Sequence, residues 1–158
     1  MPALRPLVLS AALVAGCASS RQPAATLPPV IEQSQAVAQV VQWSATLASE
    51  AGTSIGGTAT VVPAGAQGTT ATVSLTGAAP GGVHPWHLHA GRCGDNGPIV
   101  GPPEAYPPLT VGADGSATAM ATVPVPTPVS GDFHVNVHRS AGETGIVIAC
   151  GNLSVTTR

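Results

Sequence analysis

Three of the five histidines of this 158-residue chain fall within the stretch "VHPWHLHAG", at His84, His87 and His89, and the other two, His134 and His138, stand in "DFHVNVHR". If both stretches are extended, their side chains alternate across the strand. Trp86 and Leu88 then face one way, and His87 and His89 the other. Phe133, Val135 and Val137 share one face, and His134, Asn136 and His138 share the opposite one. Each strand has an apolar face fit for a core and an imidazole-bearing face outside it. Two imidazoles at i and i+2 on one strand can converge on a transition metal, with a third supplied by a neighbouring strand. Imidazole suits copper, zinc, nickel and iron. The alternative is a polar outer face that uses histidine as a neutral, solvated residue.

The elements that must position these side chains read as strands. Valine and threonine are spread among 19 glycines and 16 prolines, a texture that favours short strands and turns. Strands are expected at Trp43–Ser49, Gly57–Val62, Thr70–Thr76, Pro85–Ala90, Leu109–Val111, Ser116–Val123, Asp132–His138 and Gly145–Ser154. The segments "PAGAQG", "GAAPGG", "GADGS" and "SAGETG" read as turns, and "ADG" between two threonine-rich runs is a hairpin signal. The expected class is all-β, a sandwich or barrel of about eight strands. Only 8% of residues are charged and the net charge is −2, so no basic field is available for nucleic acid.

The N-terminus reads as a targeting segment. "MPALRPLVLSAALVAGC" has one arginine, an apolar run too short to span a bilayer, and then a cysteine. "LVAGC" resembles the bacterial lipoprotein signal, in which cleavage before the cysteine exposes it for lipidation. Residues 1–16 are then a signal peptide and Cys17 the lipid anchor, making the protein a periplasmic lipoprotein held at a membrane of the cell envelope. An ordinary secretory signal is the alternative. Residues 17–42, rich in Ala, Ser, Pro and Gln, read as a flexible tether, with a short helical pattern within "IEQSQAVAQVVQ". The domain is expected over 43–158. Export also bears on the three cysteines. With Cys17 lipidated, Cys93 and Cys150 remain as an even pair in an oxidising compartment, and a disulfide is expected. The rival reading makes Cys93 a copper ligand and leaves Cys150 an odd thiol.

At this point the residues resemble a known family. "HPWHLH" is similar to the H-x-x-H-x-H strand of the copper/zinc superoxide dismutases, and the "ADG" turn, the "VNVH" strand and "ACG" follow in the family's order. The resemblance covers roughly residues 43 to 155. It implies an eight-stranded Greek-key β-barrel. His87, His89 and His138 match the family's copper ligands on the two strands. His84 matches a structural histidine that bonds to backbone, and Cys93 and Cys150 match the intrasubunit disulfide. The departures are equally specific. The stretch after the first cysteine, "GDNGPIVGPPEAYPPLTV", holds no histidine, so the family's metal-bridging histidine and its zinc ligands have no counterpart. Asp95 alone makes no zinc site, and copper without zinc is expected. The family's catalytic arginine, three residues before the second cysteine, is Val147 here, and the loop before "ACG" is short.

The expected site is therefore a three-histidine copper centre of His87, His89 and His138, with His134 a candidate fourth ligand. Arg92 and Arg139 lie beside the ligands in sequence and could attract an anion, or be solvated surface residues. Three functions fit: copper-dependent dismutation of superoxide, non-catalytic copper binding or buffering in the envelope, or a metal-free β-sandwich module similar to chordin-type domains.

Overall fold

The computed structural model describes residues 41–157. The signal peptide expected at 1–16, the lipidated Cys17 and all but the last two residues of the tether at 17–42 lie outside the described residues. The chain forms β1 (Val41–Ser49), β2 (Gly56–Pro63), β3 (Thr69–Thr76), β4 (Val83–His84), β5 (Trp86–Ala90), β6 (Leu109–Thr110), β7 (Ala117–Val123), β8 (Phe133–His138), β9 (Val147–Asn152) and β10 (Ser154–Thr157). Among the described residues the only helix is a single 3-10 turn, Pro103–Ala105, so none is long and apolar enough to cross a membrane.

All strand pairs are antiparallel. The main sheet runs β5-β8-β9-β1-β2-β3-β7, with β10 also on β1, and it curls into a half-barrel. A separate two-stranded ladder joins β4 to β6. Alternation explains the concave side. β3 buries Thr69, Ala71, Val73 and Leu75, and β7 buries Ala117, Ala119, Ala121 and Val123, while the threonines and serine between them face outward. Alanine on this inner face leaves room for the large core members Trp43, Leu47, Trp86 and Leu88.

Three expected elements differ in detail. The run expected at Pro85–Ala90 starts at Trp86, because Pro85 has no N–H to donate to a ladder, and a separate short strand precedes it. Residues 83–84 pair with β6, residues 86–90 pair with β8, and the Pro85 carbonyl accepts from His138 N. The run at Gly145–Ser154 is two strands. They keep one register along β1, Cys150 opposite Ala48 and Ser154 opposite Ser44. Between them Leu153 turns its N–H to Phe133 O. The "ADG" segment makes a tight turn, with Gly112 N donating to Ser116 O. The strands beyond it then part, β6 to β4 and β7 to β3, so it closes no hairpin ladder.

Candidate metal centre

The β5–β8 ladder sets the site. Its register places His87 opposite Asn136 and His89 opposite His134. Trp86 and Leu88 lock the other face of β5 into the core at 0% and 1% exposure. The Trp86 indole N–H donates to Pro107 O at 2.7 Å. His138 ends β8 at a register shift between β8 and β9, an irregularity of the kind that re-aims a side chain. His84 secures this end of the strand: its Nδ1 donates to Arg139 O at 2.8 Å and lies 3.2 Å from His138 O.

His87, His89 and His138 come together, each offering a ring nitrogen within 4.8 Å of the others. His87 Nδ1 and His138 Nε2 are 3.4 Å apart. Two imidazoles bound to one tetrahedral ion at ~2.0–2.1 Å span roughly 3.3 Å between their nitrogens, so this pair already has the separation that a shared ion requires. His89 Nδ1 donates to Gly97 O at 2.9 Å. That bond fixes the neutral tautomer and leaves Nε2 as the lone-pair donor, the arrangement that orients metal-ligating histidines. His89 Nε2 is buried with no hydrogen-bond partner, as is His138 Nδ1.

Burial and mutual repulsion keep the three rings neutral. Burial, then the neighbouring His138 and His89, lowers the His87 pKa to about 4. Burial also lowers His89, with the Gly97 bond opposing the effect and the neighbouring His134 adding to it. His138 is lowered by burial and then by His89. Neutral imidazole is the form that binds metal.

The imidazole face lies outside the apolar core, as the alternation requires, but it is only partly open to water, with His87 and His89 half-buried. His134 is 0% exposed and His138 6%. The segment after Gly91 folds back over it. Ala90 N donates to Pro98 O, Val100 N donates to Leu88 O, and Ile99 bridges to His89. Gly97 makes this approach possible, since a Cβ there would overlap the Ala90 carbonyl. The Cys93–Cys150 disulfide ties the cover to β9, so Cys93 offers no thiolate to a metal.

His134 is not part of the three-histidine group. Its ring stacks on His89 with centroids 5.2 Å apart, and its Nδ1 donates to Gly91 O at 3.0 Å. Asp95 lies in the cover, where its carboxylate accepts from Arg92 N at 2.8 Å. Arg92 pairs with Asp132 at 3.1 Å, and Arg139 with Glu143 at 3.7 Å.

Two residues at the site were not picked out from the sequence. Tyr106, the chain's one tyrosine, meets His87 edge-on with centroids 5.3 Å apart and donates its hydroxyl to Val100 O at 2.6 Å. Burial pushes its pKa up to about 12, so it stays a donor. Its signal was a lone aromatic among prolines in "PPEAYPPL". Asn136 shares the histidine face and is 9% exposed, with Oδ1 unpartnered. The alternation placed it there without marking it as a site residue. Neither a protein-family model nor a curated protein matches this chain.

Proposed function

We propose that the chain is a copper-binding, superoxide dismutase-like protein of the bacterial cell envelope. On this reading the curled sheet and its two-stranded flap are a divergent Greek-key barrel of the copper/zinc superoxide dismutase type. The observation that carries the proposal is the convergence of His87, His89 and His138 from two paired strands, with ring nitrogens within 4.8 Å of one another. A set of neutral imidazoles suits copper in either common oxidation state.

When bound, copper supplies a one-electron couple, by which one superoxide is oxidised to dioxygen and a second is reduced, with two protons, to hydrogen peroxide. The protein's part is to hold the ligands. Gly97 O fixes the His89 tautomer, and His84 bonds the backbone at the end of β8. Tyr106 packs its ring against His87, and the cover leaves His134 fully buried.

Non-catalytic copper binding is favoured by a separate observation. Arg92 and Arg139 are the only cationic side chains among the described residues, and both are paired with carboxylates. With Val147 where the family carries its arginine, no unpaired cation among the described residues draws superoxide to the metal.

Export is supported by the "LVAGC" motif and by the disulfide, which persists in oxidising compartments. The membrane is then reached through a lipid on Cys17.

Electron paramagnetic resonance on protein loaded with one equivalent of Cu(II) tests the site. Nitrogen couplings from the histidines are expected, with a changed spectrum or lost copper in His138→Ala. Failure to take up copper, or an unaltered His138→Ala spectrum, overturns the site. Dismutation no faster than that of copper on a histidine peptide rejects catalysis and leaves the binding reading standing.

A further inference from the structure

Two adjoining cavities run from the histidine group past the disulfide. One, of about 250 Å³, is lined by His89, His138, Asp95, Asn96 and Asn136, among others. The next, of about 330 Å³, is lined by Glu50, Asp95, Asn96, Asn136 and both cysteines of the disulfide, among others. Asn136 stands between Cys150 and His87 in a single row across β9, β8 and β5, so the cleft is continuous with the covered histidine face.

Its charged lining is acidic, with Glu50 and Asp95 and no cationic side chain. Glu50, Asp95 and Asn96 are exposed at the rim. Asn136, only 9% exposed, is at the floor. Its Oδ1 has no hydrogen-bond partner, and neither has His89 Nε2 at the inner end. A buried acceptor left in this way costs about 1–3 kcal/mol, a penalty relieved by a cation or a donor. No arginine lines either cavity. Residues 41–157 carry two arginines against six carboxylates, and both arginines pair with Asp132 and Glu143. Among the described residues Glu50 and Asp95 have no ion-pair partner. A cleft lined by one sign of charge, with low-dielectric walls, concentrates the counter-ion, and here the counter-ion is a cation. Carboxylate and amide oxygens suit a hydrated divalent ion, and imidazole binds copper more strongly. The donors therefore strengthen from rim to interior.

We propose that this cleft is the approach path by which a hydrated divalent cation, Cu(II) on the reading above, reaches the histidines, with Glu50 and Asp95 collecting it and Asn136 Oδ1 receiving it as it sheds water. The inference rests on the copper reading and deepens it. The same field disfavours small anions along this route.

Loading is followed by stopped-flow quenching of tryptophan fluorescence on mixing the apo protein with aqueous Cu(II). Wild-type loading should slow as salt is raised. A Glu50→Gln/Asp95→Asn variant should load about three- to tenfold more slowly at low ionic strength and match the wild type at high salt. Its final stoichiometry and paramagnetic spectrum should be unchanged. Asn136→Leu should load slowly at every salt concentration, and Glu104→Gln, outside the cleft, should load at the wild-type rate. Wild-type kinetics in the double variant, or equal slowing by Glu104→Gln, overturns the path alone. A wild type that takes up no copper overturns the copper reading and the path together.

Discussion

On β2, β3 and β7 the side chains that point away from the core are mainly threonines, with Ser74, Val62 and Met120, and they are half-buried or exposed. On β5, β8 and β9 they are histidines, an asparagine and a cysteine lying under a covering segment. Both regions obey the same two-residue alternation. β3 alternates cleanly between buried and less buried positions, whereas β8 is buried at five of its six residues. Outer hydroxyls on the first region pair across strands, Ser74 with Thr118 at 3.0 Å and Thr70 with Thr122 at 3.4 Å, and water can replace either partner. Beneath the cover, Nε2 of His89 and His134, Oδ1 of Asn136 and Nδ1 of His138 have no partner. Folded proteins satisfy nearly all buried polar groups. A concentration of exceptions on one face marks where stability yields to a ligand.

The largest expected effect comes from releasing the cover. The disulfide joins residues 57 apart in sequence. Removing it with Cys93→Ala/Cys150→Ala should destabilise the chain by about 4 kcal/mol on the loop-entropy account, read from urea midpoints. A loss below about 1 kcal/mol would mean that the cover holds itself down, erasing this part of the contrast between the regions. Next in size is the metal. Copper at a hundred times its dissociation constant should stabilise the fold by about 2.7 kcal/mol, and the gain should be much smaller in His138→Ala. Thermal melts with and without copper decide it.

Acidity separates the regions with a defined sign. His87 is lowered to about 4 from an ordinary 6.5, and His89 and His138 are lowered as well. Between those two values the unfolded chain holds protons that the folded apo chain refuses. The stabilisation is therefore fully present above the ordinary histidine value and is lost as pH falls toward the His87 value of about 4. Urea midpoints of the apo protein should be lower at about pH 5 than at about pH 7.5, and His87→Ala should flatten the difference. An unchanged wild-type midpoint would show that these rings titrate as if in water.

The hydroxyl-bearing region was legible in the sequence, because "TTATVSLT" and "ATAMATV" carry their alternation locally. The histidine region was legible in its facing but not in its burial. Nothing local in "GRCGDNGPIVGPP" says that Ile99 bridges to His89, or that Gly97 nestles against the Ala90 carbonyl. Those contacts depend on how the segment folds back along β5. The same limit applies to His134 and His138. They share a face in sequence, yet the register stacks His134 on His89, while the irregularity beside Val137 brings His138 to His87.

The smallest expected effect is the sharpest test of the contrast. Thr118→Val removes an exposed hydroxyl whose partner is the half-buried Ser74, in a hydrogen bond that water reaches. Water replaces the lost bond, and valine suits a strand at least as well as threonine does. Stability should stay within about 0.5 kcal/mol of the wild type in urea denaturation. On the covered face the same logic takes a different form. Asn136→Leu removes an acceptor that is already unpartnered, so apo stability should change little or rise, while copper loading slows. A loss above about 1 kcal/mol in Thr118→Val would show that the hydroxyl face is itself covered in solution. The two regions would then differ in what covers them, not in whether they are covered.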